Sequence, residues 1–223
     1  MRCKALLPLG AAAVALAFFF AVPAFAVIID RIAVSVGNRV ITESDLIREI
    51  RVTAFLNGAE PDLSPAGKRA AAGRMVEQQL IRTELEVSRY PLPTPEEVQP
   101  VLRKFEREHF ASAAEFHRQL QAAGLTEQDL KDELLWERTL LRFVEIRFRP
   151  AVQVSDQDIK EYFTKVVEPA AKAAHPDQPV GLEDYRARIE ETLFGQREDR
   201  EMDTWLKDAE QRTEIVYHPE AFQ

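Results

Sequence analysis

Cysteine occurs once in the 223 residues, as Cys3, ahead of an apolar run from Ala5 to Val22. Arg2 and Lys4 precede that run and Ala24-Phe25-Ala26 follows it, which is the basic start, apolar middle and small-x-small end of an export signal. The reading expects residues 1–26 to be a signal peptide cleaved after Ala26. The run is also near the length of a single membrane span, and the small-residue end decides for cleavage. Cys3 precedes the apolar run instead of closing it, so it forms no lipid-attachment pattern. Cleavage removes it, which excludes disulfides, thiol catalysis and thiolate metal sites even in an oxidising compartment.

Other chemistry is missing as well. The four histidines, His109, His117, His175 and His218, never fall at the spacing that sets two on one helical face beside an acid. There is no glycine-rich phosphate loop and no nucleophile elbow. Acidic pairs such as Glu84 with Glu86, or Glu190 with Glu191, read as solvated helix faces. The sequence therefore supplies no catalytic residues, no metal ligands and no cofactor site. Positive charge is also short. Loss of Arg2 and Lys4 with the signal takes the formal charge from −8 to −10. Such a chain repels phosphate backbones and anionic headgroups, so nucleic acid and membrane insertion after cleavage are not expected. Repeats and low-complexity tracts are lacking, and the length fits one or two domains with a sizeable core.

What is present is a hairpin followed by helices. Ile32, Val34 and Val36 alternate with small residues and lead to Gly37-Asn38, a pair that tolerates the positive φ of a two-residue turn. Centring the turn there sets Val34 opposite Ile41. Thr42 with Asp45 three residues on then signals a helix start. The same pattern recurs at Thr94…Glu97, with Pro95 at the first helical position, and at Ser112…Glu115, Thr126…Asp129 and Ser155…Asp158. Helices are expected over 43–56, 65–89, 95–109, 112–123, 126–148, 155–173 and 182–212. Pro100 and Pro169 fall inside two of them, where a kink or restart is expected. Glu214 to His218 is a short β-prone run.

Two helices carry unusual patterns. In 126–148, Leu130, Leu134, Leu140, Leu141, Val144 and Phe148 form one stripe, and Leu135, Trp136, Phe143 and Ile146 lie on the other side. Such a helix is either sandwiched between two layers or presents an apolar face to a partner. In 182–212, Leu182, Tyr185, Ile189 and Leu193 share one face, while Met202, Trp205, Leu206 and Ala209 share nearly the opposite one. The switch near Gly195 predicts packing on two bodies or a bend.

In order along the chain, these features resemble the SurA-like periplasmic chaperones, within the broader SurA, PrsA and trigger-factor group. The likeness rests on Asp30 to Leu46, Met75 to Ile81, Thr94 to Val98, Phe116…Leu120…Gly124-Leu125-Thr126, Val154 to Phe163, and the closing Trp205-Leu206…Ile215-Val216-Tyr217. Each motif is loose, and their order is what makes the likeness specific. The resemblance implies a mainly α chaperone body whose N-terminal hairpin pairs with a C-terminal strand. Residues 27–174 would be the helical domain and 182–223 the helix and strand that complete it. The family's parvulin isomerase module would fall between them. Residues 175–181 hold only His-Pro-Asp-Gln-Pro-Val-Gly, whereas such a module needs on the order of a hundred residues.

The function expected from this resemblance is a non-catalytic periplasmic holdase that binds extended apolar segments of unfolded exported or outer-membrane proteins. Phe105, Phe116, Trp136, Phe143 and Ile146 are the candidate peptide-binding residues, and the same residues read otherwise as core. An envelope adaptor with one dedicated partner is the alternative, and a peptidyl-prolyl isomerase comes third. A homodimer is left open.

Overall fold

The computed structural model describes residues 30–175 and 178–223. The signal-peptide reading lies outside the described residues. Strand β1 (Ile32–Val36) turns through Gly37, at φ 57°, into β2 (Arg39–Thr42). Val34 stands opposite Ile41 on one side and opposite Tyr217 of β3 (Ile215–Tyr217) on the other. The sheet order is β2-β1-β3, all antiparallel. A mainly α body with an N-terminal hairpin paired to a C-terminal strand is thus borne out. A register irregularity between Ile32 and Val34 lets the neighbours Ala33 and Val34 both be buried.

The helices are α1 (Glu43–Leu56), α2 (Pro65–Val87), α3 (Pro95–His109), α4 (Ala113–Ala122), α5 (Glu127–Arg147), α6 (Asp156–Tyr162), α7 (Glu168–Ala174) and α8 (Arg186–Arg212). Their starts follow the capping chemistry. Thr42 Oγ1 accepts from the Asp45 amide at 3.2 Å, and Asp45 Oδ2 accepts from the Thr42 amide at 3.0 Å. Thr126 with Asp129 and Ser155 with Asp158 close the same reciprocal box. Each cap of this kind stabilises its helix by about 1 kcal/mol. Ser64 caps α2 through the Gly67 amide, a start that carries no acid at the third position.

The prolines behave differently from each other. Pro100 sits in the second turn of α3, which continues past it as one element. Before Pro169 the helix widens: a π-helical turn over Phe163–Val167 joins α6 to α7. Proline crowds the carbonyl four residues before it, here Lys165, and the wider turn holds that residue. The expected helix 155–173 thus runs without a break over 156–174, with a π-helical turn inside it. Helix 182–212 likewise begins with a 3-10 turn at Leu182–Asp184 before α8.

Four apolar clusters hold the body together. The sheet buries Val34, Val36 and Ile41 against Leu46 and Ile50 of α1, Val76 and Leu80 of α2, and Phe222. Lys68, itself buried, fastens this corner by donating to Glu43 at 2.7 Å and to the Gln223 carbonyl at 3.2 Å. A second cluster joins Val52 to Val98, Leu102, Phe116, Leu120, Leu130 and Leu134. A third joins Ile81, Trp136, Phe143, Phe148 and Leu206. The fourth gathers Ile159, Phe163, Ile189 and Leu193.

Helix α5 is sandwiched, with Leu130 and Leu134 in the second cluster and Trp136 and Phe143 in the third. Its stripes are not the straight ones expected. Leu140, Val144 and Phe148 join Trp136, Leu135 joins Leu130, and Leu141 is 70% exposed. A straight stripe assumes one neighbour along the whole helix. Here the apolar neighbours change from α1, α3 and α4 to α2 and α8 along the length of α5. Helix α8 also packs on more than one body, reaching three clusters without an interruption at Gly195. Ile189 and Leu193 enter the fourth cluster, Met202 and Leu206 the third, and Ala209 touches the first.

Candidate functional site: an apolar groove between α2 and α5

Helices α2 and α5 meet at Ile81, Trp136 and Phe143 in the third cluster and leave a gap beside it. Helix α2 lies on α1 and α8, and α5 lies on α3 and α1. The faces they turn to the gap are regular helical ones. On α5 these are Asp132, Leu135, Trp136 and Thr139, at i, i+3, i+4 and i+7. On α2 they are Arg82, Leu85 and Glu86, at i, i+3 and i+4. Leu92 and Pro93, in the proline-rich segment between α2 and α3, close one side. Together they enclose an open cavity of about 560 Å³, within the size range of ligand-binding clefts.

Trp136 is the floor of the groove. It is 5% exposed, and the Arg82 guanidinium carbon lies 4.1 Å from its ring centroid. A cation over an indole face at an exposed site contributes about 0.5–1 kcal/mol. Leu92 is 48% exposed, so the wall it forms is in contact with solvent. Thr139 is buried and its hydroxyl donates to the Leu135 carbonyl at 2.7 Å, which removes its polarity from the groove.

A second, smaller cavity of about 200 Å³ shares Arg82 and Asp132 with the first as lining residues. Asp45, Glu49, Asp129, Asp132 and Glu133 line it, against the two guanidinium groups of Arg48 and Arg82. Arg48 is engaged with Asp45 at 3.5 Å and Asp129 at 3.6 Å. Glu49, Asp132 and Glu133 form no ion pair among the described residues. Burial pushes the Glu133 carboxyl up to about 7, with the charges of Glu49 and Glu137 adding to it and Arg82 and Arg74 opposing it. Burial also raises Glu49, against the pull of Arg74, Gln78 and Arg82. The wall is acidic and short of cations.

The structure does not bring the five expected peptide-binding residues together. Trp136 alone lines the groove. Phe116 is 1% exposed in the second cluster, with Phe55 and Phe110 around it at ring-centroid distances of 6.3 and 5.2 Å. Phe105 is half-buried in that same cluster and stacks on His109 at 4.5 Å. Phe143 is 1% exposed and ringed by Tyr90, Phe148 and Trp205 at 5.4 to 6.0 Å. Ile146 is half-buried beyond them on α5. Arg82, Leu85, Leu92 and Pro93 were missed as groove residues. Leu92 and Pro93 fall in the interval between the expected helices 65–89 and 95–109.

Elsewhere, Ser35 Oγ lies 3.1 Å from His218 Nε2, and no carboxylate hydrogen-bonds that imidazole among the described residues. The pair ties two strands. No cluster of three or more His, Cys, Asp or Glu side chains placed to hold a metal ion occurs among the described residues. No helix among them is long and apolar enough to cross a membrane. No protein-family model matches the chain, and no curated protein matches it.

Proposed function

We propose that this protein is a non-catalytic chaperone of the periplasm, a holdase resembling the SurA-like body without an isomerase module, which binds extended apolar segments of unfolded exported proteins. The observation that carries this reading is the open apolar groove of Leu85, Leu92, Pro93, Leu135 and Trp136 between α2 and α5. A monomer normally fills a gap of this kind with its own side chains. Left open and rimmed by charge, it suits an incoming apolar side chain. The short segment 175–181 and the order of the capped helices support the same reading, and the signal-like first 26 residues support the compartment.

The decisive experiment is aggregation suppression by the purified mature chain on several unrelated unfolded proteins, with proline-isomerisation kinetics on a model peptide run alongside. Protection of all of them at near-stoichiometric ratios, without acceleration of isomerisation, is the expected result. A chain that protects none of them and co-purifies with a single envelope protein is an adaptor. Acceleration of isomerisation above background overturns the non-catalytic reading.

A further inference from the structure

We infer that the groove selects segments in which an apolar side chain is accompanied by a lysine or arginine a residue or two away. The apolar residue seats against Leu85, Leu92 and Trp136, and the cation faces Glu49, Asp132 and Glu133. This rests on the holdase reading and names its substrate class.

Charge complementarity across two adjacent compartments carries this selection. The apolar cavity and the acidic one share Arg82 and Asp132 as a common wall, so a short extended segment lying over that wall would reach both. Successive side chains of an extended strand point to opposite sides, and residues i and i+2 fall on one face about 7 Å apart. The acidic side presents five carboxylates to the guanidinium groups of Arg48 and Arg82, with Arg74 acting on Glu49 and Glu133 as a third cation. Arg48 is held by Asp45 and Asp129, and Arg82 lies over Trp136. Glu49 comes from α1, and Asp132 and Glu133 from α5, so the excess negative charge is built by two elements. Burial raises the Glu133 and Glu49 carboxyls, so a cation added there stabilises charge that the fold leaves poorly solvated. An acidic segment meets the same wall with like charge and is rejected.

Fluorescently labelled peptides with an otherwise Gly/Ser sequence test this on the mature chain. One carries Phe and Lys two residues apart, a second carries Phe and Glu, and a third carries Ser and Lys. The Phe/Lys peptide is expected to bind about tenfold tighter than Phe/Glu at low salt, with the gap closing to about twofold near 0.5 M salt. The Ser/Lys peptide should bind weakest. Leu92→Asp, at an exposed position, should weaken both Phe peptides. The double variant Asp132→Asn with Glu133→Gln should lower only the Phe/Lys affinity. Equal binding of Phe/Lys and Phe/Glu, or a preference that survives the double variant, overturns the selection rule. If clients are still protected from aggregation in that case, the holdase reading stands without it. Strong binding of Ser/Lys overturns the apolar half. If no peptide binds and no client is protected, both readings fall together.

Discussion

Ser35 Oγ and His218 Nε2 lie 3.1 Å apart although 183 positions separate them in the chain. Around this contact the His218 amide donates to the Ala33 carbonyl at 2.9 Å and the Gly37 amide donates to the Glu214 carbonyl at 2.8 Å. The hairpin thus has no independent standing. A two-stranded hairpin is marginal in water, and the third strand with Phe222 beneath it supplies the missing area. Phe222→Ala removes a side chain that is 2% exposed. It is expected to cost about 3–5 kcal/mol, read as a lower urea midpoint. Ser35→Ala, which loses only the partly buried hydrogen bond, should cost about 1 kcal/mol or less.

Glu133 makes stability depend on pH. Its carboxyl stands near 7 in the fold against an ordinary value of 4.5. The folded chain therefore holds this proton more tightly than the unfolded one between those two values. Folding is favoured at the acidic end, and stability from this group declines as pH rises from about 4.5 to about 7, then levels off. Glu49, Asp132 and Glu137 add negative charge around it, and Arg74 and Arg82 of α2 oppose them. Glu133→Gln is expected to raise the urea midpoint at pH 8 and leave it nearly unchanged at pH 5. After allowance for partial solvent screening the gain at pH 8 is about 1 kcal/mol. Equal effects at both pH values would refute the assignment of the titration to this carboxyl.

Helix starts and the hairpin were legible because their signals are local. Thr42 and Asp45, or Thr126 and Asp129, make the very contacts that their spacing implies. Gly37-Asn38 likewise dictates the turn. The two-faced patterns of α5 and α8 correctly announced helices with more than one neighbour, though not which neighbour took each residue. Leu140 and Leu135 exchanged sides because α5 changes partners along its length. The groove was illegible for a different reason. It arises from what α2 and α5 leave unfilled, and no spacing within either helix encodes a gap between them. Phe116 and Phe143 stood out as large aromatics, and size is the property that places a residue in the core.

The aromatic residues separate core from groove experimentally. Phe116→Ala and Phe143→Ala each empty a site that is 1% exposed. Each should cost about 3–5 kcal/mol and leave peptide affinity per folded molecule unchanged. Leu92→Asp should do the reverse, shifting the urea midpoint little while weakening binding of an apolar peptide. Measuring denaturation and peptide affinity on the same three variants checks both halves. A binding loss confined to the Phe143 variant would relocate the site to the cluster of Phe148 and Trp205.

The fourth cluster is expected to open as a separate unit. Ile159 and Phe163 meet Ile189 and Leu193, and their link to the rest runs through the uninterrupted helix α8. Arg197 fastens the junction, reaching Asp158 Oδ1 at 2.7 Å and the Gln153 carbonyl. Asp158 is held down to about 2, first by the Ser155 hydroxyl, then by the Ser155 amide and Arg197. It therefore stays charged through most of the acid range. Ile189→Ala removes the best-buried member of this cluster, at a local cost of about 2–5 kcal/mol. Amide hydrogen exchange should then quicken over residues 156–174 and the first half of α8. The sheet and the Trp136 cluster should keep wild-type protection, because Met202, Leu206 and Ala209 anchor the second half of α8 to other bodies. Uniform loss of protection across the chain would show that all four clusters unfold as one.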